Sequence, residues 1–213
     1  MSTFLKNKIL CYSVFTKKLK NIMSKTLFNN IIKDLKLYYQ ERGVLHKISS
    51  EGLTKSKQAI FTAHDGEIAK AEKILKEVRG LLTDLNKKYN HSNRLQFEGS
   101  YRACVEEFLE ASFFVATLKG KELKLDPDFQ FGPEEYIGGL CDLTGELVRQ
   151  AVLLGSKKNL PKIKKYTKMT KEVVGFMMQL YISGKSRQKF DEAKRNLKRL
   201  EQIVYEINLK NIK

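Results

Sequence analysis

The chain has 213 residues, enough for one domain or two small ones with a real core, and 40 lysines and arginines against 24 aspartates and glutamates leave it at +16. No uninterrupted apolar run approaches the roughly 18 to 20 residues of a transmembrane helix, so no membrane-spanning role is expected. Three scattered cysteines, Cys11, Cys104 and Cys141, lack CxxC spacing; they argue against a disulfide framework or a structural zinc site and for a reducing, cytoplasmic setting.

The surplus of positive charge suits a polyanionic partner, nucleic acid being the commonest in a cell. Lysine far outnumbers arginine, however, and such a surface also arises from genome composition or life at high temperature.

Residues 1–23, "MSTFLKNKILCYSVFTKKLKNIM", are basic, with no acid before Asp34. "ILCYSVF" is short for a signal-peptide core and no small-residue cleavage site follows cleanly. This stretch is expected to be a basic N-terminal extension or to lie upstream of an alternative start at Met23, with a helical domain over 24–213.

Prolines occur only at 127, 133 and 161, and strand-like alternation is nearly absent, so the fold class is all-α. A first helical pattern covers 26–63, with possible breaks at Gly43 or Gly52. A second, 66–89, places Ile68, Ala71, Ile74, Leu75, Val78, Leu82 and Leu85 on one side. "NHSN" interrupts the chain before a third helix at 94–119. After the loop "KGKELKLDPDFQFGP", Pro133 suits a first helical turn, with Glu134 and Glu135 favourable at the positive end of the dipole. That helix spans 133–154 and stops at Gly155; two more are predicted at 159–183 and 187–209. Six or seven helices with short connections make a bundle.

The third helix contains "ACVEEFLEASFFVATL", which sets Glu106, Glu107 and Glu110 among apolar residues. At 100° per residue, Glu107 and Glu110 share a face with Ala103, Ala111 and Phe114, whereas Glu106 points elsewhere, towards Arg102 and Phe113. In "YIGGLCDLTGELVRQAV", Tyr136, Leu140, Leu143, Leu147 and Leu154 form a leucine-rich stripe. The opposite face carries Gly138, Asp142, Gly145, Glu146 and Arg149. Glycine inside a helix costs about 1 kcal/mol, so a packing or functional reason is expected.

Two helices thus each present a carboxylate pair on an occluded face. Like charges about 4 Å apart cost roughly 4 kcal/mol at an effective dielectric of 20, which a bound cation would offset. Oxygen donors favour Mg²⁺, with Mn²⁺ or Ca²⁺ as substitutes, and no histidine occupies an ExxH position. Ordinary salt bridges to Arg102, Arg149 or nearby lysines account for the same acids equally simply. His46, His64 and His91 are taken as packing or surface histidines, not ligands.

At these residues the chain resembles the translin family: "GPEEYIGGLCDLTGELVRQAV" is similar to its most characteristic segment, "CVEEFLEASFF" to the helix before it, and "RLEQIVYEINLK" to its closing helix. The resemblance covers about 28–210. It implies a seven-helix bundle assembled into a closed, barrel-like homo-oligomer, an octamer in the first instance. Within the family, the nuclease branch carries E-x-x-E followed by D-L-T-G-E, and the non-catalytic branch binds single-stranded RNA and DNA without that set. Glu107, Glu110, Asp142 and Glu146 stand at those positions. The resemblance therefore implies a Mg²⁺-dependent endoribonuclease acting on single-stranded RNA, these four acids being metal ligands and catalytic residues; a non-catalytic single-stranded RNA/DNA-binding ring is the alternative. Arg94, Arg102 and Arg149 become candidate phosphate contacts or counter-ions. Lys55, Lys57 and His91 remain of the family's nucleic-acid-binding basic segments, which are otherwise depleted here.

Overall fold

Six α-helices and one 3₁₀ turn form in a computed structural model that describes residues 25–89, 94–124, 131–156 and 159–212, with no strand among them. The helices are α1 (Lys25–His64), α2 (Ile68–Tyr89), α3 (Gly99–Leu118), α4 (Pro133–Ser156), α5 (Leu160–Met177) and α6 (Gly184–Ile212), with the 3₁₀ turn at Leu95–Phe97. The all-α expectation is met. The basic extension at 1–23, Cys11 and His91 lie outside the described residues.

The chain divides into two compact units, one ending at Val44 and one beginning at Leu45. In the first, the helical residues carry Phe28, Ile31, Ile32, Leu35, Tyr38 and Tyr39 at 43–58% exposure, an apolar stripe at three- and four-residue spacing. Helical structure continues through Gly43 and Gly52, against the expected break. Gly52 is there for contact rather than interruption: a Cβ at this position would come within 2.6 Å of Cys104 Sγ on α3.

The second unit has three apolar clusters, and α4 contributes to all of them. Its predicted stripe is on the largest: Leu143 and Leu147 are fully buried, and Tyr136, Leu140 and Leu154 pack around them. The predicted side of α2 joins the same cluster, with Ala71, Leu75, Val78, Leu82 and Leu85 buried. Elsewhere α4 places Cys141 against Val174, Met177 and Phe190, and Ala151 against Ile163, Leu200 and Ile203. Covered on several sides, α4 leaves its acidic face at the junction with α1, α3 and α6.

Helix ends follow local chemistry. α1 stops through glycine: Gly66 adopts φ of 87°, its N–H donates to the Ala63 carbonyl and the Glu67 N–H to that of Thr62, which closes a Schellman motif directly after His64. Asn159 caps α5 by accepting from the Lys162 N–H, with Pro161 in the first turn. The predicted extension of α5 to 183 is wrong. After Met177 the N–H groups of Gln179 and Leu180 donate three residues back, and Leu180 and Ile182 turn to pack on the cluster around Cys141. Burial of those two side chains competes with further helical turns, and α6 then begins at Gly184.

Candidate functional site

Backbone proximity creates the site. A Cβ at Gly139 would meet Leu109 Cβ at 2.9 Å, the Glu110 backbone nitrogen at 3.1 Å and the Glu106 carbonyl oxygen at 3.3 Å. Only a residue without a side chain lets α4 lie this close to α3, at the level of its glutamates. Gly138 faces the Glu106 side chain, with carbons and an oxygen at 2.5–2.7 Å from the same imagined atom. Gly145, expected to serve the same purpose, does not: its nearest neighbour is Asn196 Nδ2 at 3.7 Å, an ordinary contact.

The two carboxylate pairs meet across this contact. Glu110 is buried at 8% exposure, and its carboxyl is pushed up to about 9, first by burial and then by the negative charges of Asp142, Glu107 and Glu146. Glu107 is also raised by burial; Lys57 partly offsets this, while Asp142 and Glu146 add to it. Burial raises Asp142 against the opposing hydrogen bond from Lys189. Glu107, Glu110, Asp142 and Glu146 therefore lie within electrostatic reach of one another.

Each exposed end of this cluster has a basic partner. Lys189 of α6 donates to Asp142 Oδ2 and lies 3.0 Å from Glu106 Oε1. Burial works against the Lys189 charge, but its bonds to the two acids outweigh that and raise its ammonium above the ordinary range. Glu106 also accepts from Lys185 at 2.7 Å. Burial would raise Glu106, yet these two lysines hold it below the usual carboxylate value. Glu106, which helical geometry directs away from the pair, is thus an ion-pair partner that Lys189 links to Asp142. Lys57 Nζ lies 3.9 Å from Glu107 and Arg149 3.8 Å from Glu146. His64 bonds Glu146 Oε2.

As the side chains stand, no three His, Cys, Asp or Glu residues among the described ones are grouped to hold a metal ion. Asp142 is turned to Lys189 and Glu146 to His64. The chemistry of the set nevertheless suits a hard divalent cation, since it consists of oxygen donors, and burial together with the neighbouring negative charges raises Glu110 in the absence of one.

The predicted basic residues divide. Lys57 and Arg149 adjoin the acids, and between them on the α1 surface stands Phe61, 58% exposed, with the Arg149 guanidinium 6.0 Å from its ring centre. Lys55 instead pairs with Glu77 at 2.7 Å and with Glu51. Arg94 reaches Glu98 at 3.4 Å and approaches the ring of Tyr89. Arg102 binds Glu134 and Glu135, lining a cavity of about 550 Å³ that contains none of the four acids. Sequence patterning missed His64 and Lys189: both are remote in sequence from the acids they bind, and neither sits in a motif.

A model of the Translin family matches residues 29–211. The chain belongs to that family. No curated protein matches it. The fold of this translin-family chain is similar to the crystal structure of AfC3PO, with a TM-score of 0.79 and 20% identity over 87% of this chain and 99% of the other. The structure of an AfC3PO–duplex RNA complex is similar to the same degree, covering 98% of that chain. Apo-NeC3PO matches with a TM-score of 0.75 and 17% identity, over 87% of this chain and 98% of its own. At these identities the likeness is one of fold.

Proposed function

We propose that this translin-family chain is a Mg²⁺-dependent endoribonuclease for single-stranded RNA, with Glu107, Glu110, Asp142 and Glu146 holding the metal. The observation that carries the proposal is Glu110, buried on α3 within electrostatic reach of three further carboxylates, an arrangement that the adjoining Lys189 does not offset, since the Glu110 carboxyl is still pushed up to about 9. Bound among these acids, the ion supplies Lewis acidity for water activation and offsets charge developing at the scissile phosphate.

The chain's own residues do the rest. The burial of Glu110 gives the acids a partly dehydrated floor, where electrostatic effects are stronger than in water. Lys57, 62% exposed, and Arg149, 49% exposed, present free donor capacity at the rim of the site, where phosphate oxygens would be met. Phe61 between them offers a flat apolar face on which an unpaired base stacks, a contact suited to single strands. AfC3PO, similar in fold, is known in complex with duplex RNA, which supports an RNA partner for this chain. The exposed apolar stripe of residues 28–39 supports assembly into a homo-oligomer, for which the octamer is the first expectation.

A non-catalytic single-strand-binding ring is the second reading, favoured by the present engagement of Asp142 with Lys189 and of Glu146 with His64. One assay separates the two. A fluorescent single-stranded RNA is expected to be cut in Mg²⁺ and spared in EDTA, and Asp142→Asn is expected to abolish cutting while leaving the helical circular dichroism intact. Binding without cleavage under all conditions selects the second reading; undiminished cleavage by Asp142→Asn removes the four acids from the mechanism.

A further inference from the structure

We propose that His64 is a positioning residue that fixes the orientation of Glu146 in the carboxylate site, with Gln150 fixing His64 in turn. The inference rests on the metal-site reading above and adds to it His64, which stands outside every motif, and Gln150, to which the family resemblance gives no role. The His64 side chain is 2% exposed, although it ends the long α1 helix immediately before a turn. Its ring packs on Phe114 at 4.5 Å between centroids, which fixes the imidazole plane. Both ring nitrogens are used: Nε2 meets Glu146 Oε2, and Nδ1 meets the Gln150 side-chain nitrogen at 2.9 Å.

The tautomer follows from the partners. A carboxylate only accepts, so Nε2 carries the hydrogen; the Gln150 amide nitrogen only donates, so Nδ1 accepts. Gln150 is itself buried, which leaves its amide little freedom to turn away. Glu146 and Gln150 are four residues apart on α4, so one helix face grips the ring at both nitrogens.

The consequence falls on one oxygen atom. His64 and Arg149 both reach the same oxygen of Glu146, Oε2. A glutamate tethered through one oxygen presents the other in a fixed direction, which is the arrangement by which outer hydrogen bonds orient a metal-ligating carboxylate. The Schellman turn at Gly66 ends α1 at this point and so sets where the ring can lie. His64 does not ligate; it acts through Glu146.

The test titrates the full-length chain with Mn²⁺, following free ion by electron paramagnetic resonance, and measures the Mg²⁺ concentration for half-maximal cleavage of single-stranded RNA. The variants are His64→Phe, which keeps the apolar packing and loses both nitrogens, His64→Gln, whose amide can still donate near the Nε2 position, Gln150→Met and Asp142→Asn. Expected are losses of Mn²⁺ affinity on the order of tenfold in His64→Phe and Gln150→Met, with recovery to within about threefold of wild type in His64→Gln. The Mg²⁺ requirement should rise in parallel. Wild-type Mn²⁺ affinity in a folded His64→Phe variant overturns the inference, even if its thermal stability is lowered, because packing alone would move only the latter. A metal site that vanishes in Asp142→Asn but survives His64→Phe therefore refutes His64 alone; Mn²⁺ binding that is absent from wild type, or unaffected by Asp142→Asn, removes the metal-site reading and His64's role with it.

Discussion

Glu110 has the largest consequence of any single residue. A carboxyl raised to about 9 in the folded chain, against roughly 4.3 when unfolded, holds its proton more tightly folded than unfolded across that interval. Its contribution to stability is full below the unfolded value and is lost as pH rises through about 9, with a slope approaching about 1.4 kcal/mol per pH unit for one proton. In EDTA, the urea midpoint is therefore expected to fall between pH 5 and 9, and Glu110→Gln should flatten that fall; an unchanged profile in the variant means another group is responsible. Lys189 poses the complementary case, since Lys189→Met strips Asp142 and Glu106 of a shared counter-charge. Metal-free, the variant should lose about 1–3 kcal/mol as two sheltered carboxylates go short of a partner. If an ion competes with the ammonium for Asp142, millimolar Mg²⁺ should return more stability to this variant than to wild type in thermal melts, and equal Mg²⁺ shifts would speak against that competition. Glu107, Glu110, Asp142 and Glu146 were all legible from helical periodicity and the family resemblance. His64 reads from the sequence as a packing or surface histidine, because nothing in "IFTAHDG" shows what lies across from it.

Among the elements, the α3–α4 contact is where sequence and site meet. Gly139→Ala would press a methyl group against the backbone of Glu106 and Glu110, which cannot move aside as a flexible side chain can. A loss of about 1–3 kcal/mol is expected in denaturant unfolding, together with a higher Mg²⁺ requirement as the carboxylate pairs separate. Gly145→Ala is the control on the same helix, because only Asn196 lies near, at 3.7 Å. There the gain in helix propensity should leave the variant equal to or up to about 1 kcal/mol more stable than wild type. Similar losses in both variants would mean that helix flexibility, not close approach, explains the glycines. The apolar stripes of α2 and α4 were readable because periodicity reports a buried face directly. The end of α5 was not, because residues 178–183 leave the helix to bury Leu180 and Ile182, a tertiary gain with no local signature. Which glycine of α4 admits the neighbouring helix was equally hidden: Gly138 and Gly145 are the ones that periodicity places with Asp142 and Glu146, yet Gly139 is the one that meets the α3 backbone.

For the whole molecule, charge and association matter most. A net charge of +16 predicts single-stranded RNA binding that weakens steeply with salt, by orders of magnitude between about 50 and 200 mM if six or more phosphates are engaged. Filter binding of the Asp142→Asn variant would show it without interference from cleavage, and a flat salt response would remove the charge from the argument. The stripe at Phe28, Ile31, Ile32 and Leu35 belongs to the unit that ends at Val44, and its exposure suits burial against other copies. Native mass measurement is expected to give a multiple of the 24.6 kDa chain, eight being the first expectation, and Ile31→Glu with Leu35→Glu should reduce it. What the chain's residues determined by themselves was the all-α class, the faces that become core and the two pairs of acids, because each follows from helical periodicity along a continuous stretch. Only the tertiary structure decided that Glu110 is the floor of the cluster, that Lys189 and His64 close its ends, and that Arg102 belongs to a different cavity. Those pairings join residues 32 or more positions apart, and their partners are set by which helices pack together, something no local pattern encodes.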